Sequence, residues 1–393
     1  MCNYVLNIDE PWKPLVILMD RYDVLVVGGG IAGSVGARFC AEYGLNTLMI
    51  EKDEVPRHKC CSGIQFPYFE RLVGSKVPRD RLCKNELSKV EMVTPDDEVM
   101  NAEMDMLNFW RSTFDHWLNE EAVKHGAKFR DSTELVDFRR QNGGWLCNIR
   151  SGEEEYTVYS RYLMAADGGY SQIRKKLRPE DFGQKSSGAA INLYFRGDQG
   201  ELDENTLYMI HKKKFSTLMF SWIYKKDEDW IIGTGADHDP MGHLERFYQY
   251  VLDNYGIDGE IVKKKGFSST QNDNLWLGMN NLLFIGDSAG LVDLYRGVGM
   301  DAAALSARLG ARAIHEAEEK NGKGAVERYR SHMSRIIKQK NKHDKIQKKR
   351  YASDKTLKNS LSKGTMMKDG IKLILFQKLN KLLPPEKMVL LPP

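Results

Sequence analysis

Residues 22–51 read YDVLVVGGGIAGSVGARFCAEYGLNTLMIE, and few architectures accept such a run. Residues 23–27, apolar after Asp23, are short and bounded by polar residues and glycines, the mark of a buried parallel strand. Gly28, Gly30 and Gly33 give G-x-G-x-x-G, where backbone turns tightly and approaches a pyrophosphate. Residues 32–43 read as a helix whose first amides, from Ile31 and Ala32 onward, face that diphosphate. Residues 47–50 are a second buried strand, ending in Glu51, whose carboxylate suits a ribose hydroxyl pair. A lone glycine fingerprint is weak; strand, loop, helix, strand and acid in order point to a dinucleotide. An acid rather than a base at position 51 favours FAD or NAD over a 2′-phosphorylated cofactor.

The 393 residues suffice for two or three lobes, and 41% hydrophobic with 28% charged residues is an ordinary globular balance. A net charge of +4 is too small to argue for nucleic acid. Six cysteines in a chain this long form no disulfide scaffold and suit a reducing, cytoplasmic compartment. No cluster has metal-ligand spacing, no apolar run spans a bilayer, and the opening residues lack signal-peptide character. Residues 1–19 read as an N-terminal extension.

Further along, residues 53–66 form a loop rich in charge, glycine and sulfur, and 68–73 a short helix. Residues 87–93 and 98–106 read as strands of an inserted lobe. Residues 108–126 read as an amphipathic helix with Phe109, Phe114, Trp117, Leu118 and Ala122 as its core face. Strands are expected at 128–138, 145–149, 156–159 and 162–165. The last runs into Asp167-Gly168, with Ser171 and Arg174 in a following helix. At 281–311 another buried strand meets Gly286-Asp287, and Gly297-x-Gly299 opens a long alanine-rich helix whose N-terminal amides can stabilise negative charge.

These three stretches together resemble the FAD-binding fingerprints of the flavoproteins that share the para-hydroxybenzoate hydroxylase fold. The resemblance spans roughly residues 20–315. It implies an α/β fold, α+β in the second lobe: a Rossmann-type FAD-binding domain with an inserted antiparallel-sheet substrate domain and a C-terminal helical region. The expected FAD-binding domain is discontinuous, at 20–85, 107–180 and 272–320. The substrate lobe takes 86–106 and 181–271, leaving 321–393 as the helical, basic C-terminal region. Carried over by position, Gly28, Gly30, Ile31, Ala32, Gly33, Glu51 and Lys52 would hold the ADP half. Asp167 and Gly168 would lie near the pyrophosphate, Gly286 and Asp287 at the ribityl chain, and Arg111 against FAD.

Within that superfamily, hydroxylation, halogenation and direct reduction of carbon–carbon double bonds compete. Lys59-Cys60-Cys61-Ser62-Gly63 resembles the Lys-x-Cys-x-Gly loop of geranylgeranyl reductases, with Cys61 in the cysteine position. Phe220-Ser221-Trp222-Ile223-Tyr224 resembles their Tyr-x-Trp-x-Phe-Pro strand, although Lys225 replaces the proline. The resemblance implies an FAD-dependent reductase that saturates double bonds of a prenyl lipid or quinone chain by hydride transfer from reduced flavin. NAD(P)H or ferredoxin would be the electron donor. An aromatic hydroxylase or a halogenase is the alternative, and a non-catalytic flavin-binding protein the remotest.

The same reading makes Cys61, Trp222 and Arg296 catalytic, and Tyr194, Phe220, Trp222, Tyr224 and Tyr295 substrate-binding. Lys59, Cys61, Ser62, Gly63 and Gly297, Val298, Gly299, Met300 would contact the flavin. His58 and Lys59 could lower the pKa of the thiol pair. Tyr295 and Arg296 suggest an unusual or anionic substrate, and His211 is the most suggestive histidine of the lobe, though a surface position is the ordinary expectation. Residues 335–350 are strongly basic and read as a solvated face. Residues 370–383 place Ile371, Leu375, Phe376, Leu379, Leu382 and Leu383 on one helical side, opposite Gln377, Asn380 and Lys381. That pattern suits either docking on the body or peripheral contact with the inner face of a membrane.

Overall fold

The computed structural model describes residues 19–182, 187–270 and 274–388; the expected extension lies almost wholly outside them. Two mixed sheets carry the chain. β1 (Asp20–Val27) runs into the glycine turn, α1 (Ile31–Glu42) follows, and β2 (Thr47–Ile50) returns parallel to β1, Val24 beside Thr47 and Val27 beside Ile50. Every residue of β2 is buried, the continuous apolar pattern of a parallel strand covered on both faces.

The chain then crosses to the second sheet through β3 (Ile64–Gln65), returns at α2 (Phe69–Val73), and makes the hairpin β4 (Leu87–Val93) and β5 (Val99–Asn108). α3 (Arg111–Lys124) is shorter than residues 108–126, because β5 holds residue 108 in the sheet. The stretch 128–138 divides into β6 (Lys128–Arg130) and β7 (Thr133–Gln141), since Ser132 adopts a left-handed φ of 44° between them. β8 (Gly144–Ser151) pairs with β7, and β9 (Glu154–Ala165) is one strand where two were expected. Its first half, to Ser160, pairs antiparallel with β8, and from Val158 onward it runs parallel to β1, so the polar residues at its middle stay within a ladder.

After α4 (Gln172–Leu177), β10 (Ser187–Asp198), β11 (Thr206–Ile210), β12 (Ser221–Lys226) and β13 (Asp229–Ala236) build the lobe. α5 (Pro240–Tyr255) buries Leu244, Phe247 and Val251 against it, and β14 (Asp258–Thr270) closes its edge. The order of this sheet is β14-β10-β13-β12-β11-β4-β5-β3, antiparallel except where β11 runs parallel to β4. Back in the first sheet, β15 (Gly278–Met279) pairs with β16 (Leu282–Phe284), which lies parallel to β9. The path is β15-β16-β9-β1-β2-β6.

α6 (Met300–Glu318) packs its alanine face on α1, and α7 (Ala325–Arg350) buries Tyr329, Met333 and Ile336 on the same body. Residues 335–350 are therefore not simply a solvated face: His343, Gln347 and Arg350 are buried. α8 (Asp354–Ser360) and α9 (Lys363–Leu382) complete the chain. The expected polar side of α9 is reversed at one position. Asn380 is fully buried and Leu373 and Phe376 pack on the body, whereas Ile371, Leu375, Leu379 and Leu382 face out. No helix among the described residues is long and apolar enough to cross a membrane.

Candidate functional site

The glycine turn closes only because side chains are missing at Gly28 and Gly33. Gly28 has φ of 110°, and a Cβ there would be driven into the carbonyl oxygen of Ala166. A Cβ on Gly33 would strike the carbonyl oxygen of Gly28, so α1 seats on β1 without a spacer. A Cβ on Gly30 would instead stand 3.3 Å from Nη2 of Arg57, on the open side of the turn. Glu51 is buried, and its Oε2 accepts from the Gly29 amide at 2.8 Å while facing Arg57 Nη2 at 3.1 Å. Lys52, expected beside the ADP, is exposed.

α3 lays a second, polar stripe along this cleft at a spacing of four. Arg111 holds Asp115 through both carboxylate oxygens at 2.7 and 2.8 Å, the pair being buried. Asp115 also faces Arg57 at 3.5 Å. One turn on, Asn119 donates to Gly29 O at 2.8 Å and to Ser34 Oγ at 2.7 Å. Sequence reading found Arg111 and missed Arg57, Asp115 and Asn119. Positions 111, 115 and 119 carry a helical-face signal of their own, overshadowed by the aromatic stripe; Arg57, in a loop, carries none.

The other fingerprints converge on the same cleft. Asp167 accepts from the Ile173 amide at 3.2 Å, beside the α4 cap Ser171, while its Oδ1 is buried without a partner and burial pushes its carboxyl up. Gly168 takes φ of 82° beside it. Gly286 (φ 63°) is wedged so tightly that a Cβ would lie 3.0 Å from Ala32 Cβ and 3.3 Å from Ala303 Cβ, which joins the third fingerprint to the first. Asp287 faces Lys59 at 3.9 Å and lies 3.4 Å from where a Cβ of Gly299 would be. The thiol of Cys61 lies 3.9 Å from the sulfur of Met300, the first residue of α6. Gly63 (φ 59°) accepts from the Phe109 amide at 2.9 Å, and Ser62 accepts from the Ile64 amide at 3.4 Å, so the thiol loop is tied to the start of α3.

The second lobe meets this cleft at Gly297 and at the thiol loop. A Cβ on Gly297 would press on Met219 and come 3.4 Å from the Phe220 ring. Phe220 meets Trp222 edge-on at 6.3 Å, and Trp222 donates to Asn192 at 2.9 Å. Asn192 in turn reaches the sulfur of Cys60 at 3.5 Å. Cys60 and Cys61 are both free thiols. The expectation of a thiol activated by His58 and Lys59 fails for Cys60, whose burial pushes it up to about 11. Tyr194 and Tyr224 are buried behind the strand with Ile64, Leu87 and Met106. Behind the thiol loop Lys226, also missed, is 1% exposed. It donates to the Phe109 carbonyl, lies 5.0 Å from the Trp110 ring, and is pushed down to about 8 by burial.

Two expected site residues stand elsewhere. Arg296 is no free cation at the flavin: it donates to Asp293 at 2.7 Å and Asp301 at 2.6 Å, and Tyr68 donates to the same Asp301 at 2.8 Å. Its consumed guanidinium fixes the turn that carries Gly297, Val298 and Gly299. Tyr295 lies beneath α7, its ring 5.1 Å from His343 and 4.4 Å from the Arg350 guanidinium. Among the described residues no cluster could hold a metal.

The cradle that Cβ atoms would fill, with the unpartnered Oδ1 atoms of Asp167 and Asn119, fits a dinucleotide. A family model described as FAD binding domain matches residues 84–343, and a second so described matches 23–71. A digeranylgeranylglycerophospholipid reductase of Sulfolobus acidocaldarius is 26% identical over 76% of this chain and 70% of its own. A geranylgeranyl diphosphate reductase of Rhodobacter capsulatus is 27% identical over 75% of each. Among solved structures, a geranylgeranyl bacteriochlorophyll reductase-like protein from Thermoplasma acidophilum superimposes with a TM-score of 0.76 at 23% identity, covering 88% of this chain and 92% of that one. A flavin-dependent brominase superimposes at 0.68 with 17% identity over 93% and 94%. Glycine cradle, three converging fingerprints and family match agree: the chain belongs to the FAD-binding-domain family and is an FAD-dependent oxidoreductase similar to the geranylgeranyl reductases.

Proposed function

We propose that this enzyme saturates carbon–carbon double bonds of a prenyl chain carried by a lipid or quinone. The observation that carries the reading is the junction at Gly297, where apolar Met219 and Phe220 close on the turn before α6, with the Cys60–Cys61 loop joined to the same strand through Asn192 and Trp222. Reductase-named relatives add to it. FAD, held by the glycine cradle, the α3 stripe and Asp287, supplies two electrons once reduced. An external donor such as NAD(P)H or ferredoxin restores them.

The chain's own residues do the rest. Phe220 and Trp222 orient the alkene and exclude water, since orientation carries much of such a barrier. The amides opening α6 stabilise negative charge at the cofactor end of the cleft. Cys61, partly exposed beside Met300, is the candidate proton donor to the second carbon. Arg296 acts as a positioning residue. Anaerobic mixing of the reduced holoenzyme with a geranylgeranyl lipid tests the reading. Flavin reoxidation without oxygen is expected; a strict oxygen requirement would turn the assignment toward hydroxylation or halogenation.

A cytoplasmic enzyme must still reach a lipid, and α9 supplies a contact. Ile371 is 57% exposed, Leu375 59% and Leu382 83%, on a helix that also carries Lys368, Lys372, Lys378 and Lys381. An apolar stripe flanked by lysines suits the anionic inner face of a membrane. The pair Ile371→Glu and Leu375→Glu should abolish sedimentation with phosphatidylserine vesicles while FAD content stays unchanged. Retained sedimentation would rule out the helix as the contact.

A further inference from the structure

Three polar atoms are buried without partners where α7 passes over the lobe: Nδ1 of His211, Oε1 of Gln347 and Nε of Arg350. Their residues are 5%, 8% and 8% exposed, so bulk water does not reach them. Gln347 and Arg350 lie three apart on one face of α7, and each reaches a different part of the site. Gln347 donates to the Leu218 carbonyl, next to Met219 and Phe220. Arg350 stacks its guanidinium 4.4 Å from the Tyr295 ring and donates to the Tyr295 hydroxyl at 3.1 Å. His211 stands 5.4 Å from the Phe220 ring.

No carboxylate among the described residues pairs with Arg350. The nearby acids are engaged: Asp293 by Arg296 and His343, and Asp369, which bears on Tyr295, by Lys372 at 2.8 Å. Burial, with the Arg350 charge added, pushes His211 down to about 3, so its ring is neutral. An uncompensated cation beside an unpartnered imidazole is costly to bury unless an anion completes it.

We propose that His211 and Arg350, with Gln347, form a subsite for a phosphoryl group, the polar head of the substrate whose chain lies along Phe220 and Trp222. Arg350 supplies charge-assisted donors, His211 a further donor, and Gln347 Oε1 an acceptor for a hydroxyl or protonated phosphoryl oxygen of the same ligand. Only the head-group role rests on the prenyl reading; the phosphoryl subsite stands on these residues alone. The subsite lies beside the segment of α9 that carries Asp369 and Lys372, the helix assigned above to the membrane.

Inorganic pyrophosphate is the probe. Calorimetric titration of the oxidised holoenzyme at fixed salt should give saturable binding. Arg350→Gln should weaken it about 10- to 100-fold and His211→Gln by a smaller factor, with Arg350→Lys recovering part. Bound FAD and melting temperature serve as folding controls, and Arg350→Lys with His211→Gln carries the test if Arg350→Gln does not fold. Absence of saturable binding to the native protein, or unchanged affinity in folded variants, would overturn the subsite. Geranylgeranyl diphosphate and geranylgeraniol then distinguish the source of the group. Pyrophosphate should compete with the diphosphate, and the preference for diphosphate over alcohol should collapse at least tenfold in Arg350→Gln. A preference indifferent to residue 350 would reject the head-group role and leave a free-phosphate site. If neither compound reoxidises the reduced flavin while pyrophosphate still binds, the prenyl reading fails and the subsite survives.

Discussion

The nucleotide half pairs its buried charges, whereas the lobe side leaves several unpaired, although Lys212 there meets Asp97. Around the glycine cradle every buried cation named has its counter-charge: Arg111 with Asp115, Arg174 with Asp181, Arg296 with Asp293 and Asp301. On the lobe side Lys226 makes do with a carbonyl and an aromatic ring, while His211 and Arg350 pair with no carboxylate among the described residues. Pairing fixes geometry in advance, so the first region is a rigid seat for a constant cofactor. Unpaired groups cost stability until a partner completes them.

That contrast can be broken by experiment. Asp115→Ala should cost the most, about 3–5 kcal/mol in denaturant unfolding, because it strands Arg111 and deprives Arg57. A loss under 1 kcal/mol would mean that the paired half is not rigid for the reason given.

Lys226 and His211 should show up as pH dependence. Both are depressed in the folded state, so the unfolded chain binds more protons, and stability rises with pH between the folded and the ordinary value. For Lys226 that window runs from about 8 to the ordinary 10.5, and the native protein should gain about 2 kcal/mol between pH 8 and 10 relative to Lys226→Met. For His211 it runs from about 3 to the ordinary 6.5, and the native protein should lose about 2 kcal/mol between pH 6.5 and 4.5 that His211→Gln does not lose. Parallel pH curves for variant and native protein would show that these groups titrate as if exposed. The smallest effect belongs to α9, where the glutamates at 371 and 375 should shift stability by under about 0.5 kcal/mol, as outward-facing positions do.

The nucleotide half was largely legible because its signals are local. Gly28, Gly33 and Gly286 mark places where backbone touches backbone or α1, and such contacts leave a residue type behind. The β12 strand was found through its aromatics. The rest was hidden for identifiable reasons. Asp115 and Asn119 share a helix with a louder apolar stripe. Arg296 and Tyr295 were assigned by adjacency to Gly297, yet one peptide step turns a side chain from the cleft to the far side. Lys226, His211 and Arg350 defy the rule that such groups seek water, and only tertiary packing reveals a buried cation. In α9 the amphipathic pattern was visible, but which face meets the body depends on a surface contributed by distant residues such as Arg71, which grips Asn380 and Leu383 through their carbonyls.

The placement of β16 next to β9 bears on how the protein is made. Leu282 pairs with Leu163 and Phe284 with Ala165, so roughly 120 residues, including most of the lobe, must leave the ribosome before the central sheet gains that strand. At ordinary elongation rates of about 5–20 residues per second, the edge of β9 waits on the order of 6–25 s with its ladder unfilled. A nascent chain in that interval carries an open, apolar strand edge, the feature most prone to wrong pairing. The lobe can fold during the wait, because β10 to β14 emerge onto β4 and β5, which are already made. Synthesis of this enzyme should therefore be most sensitive to chaperone supply, and to pausing, while residues 166–282 are being translated.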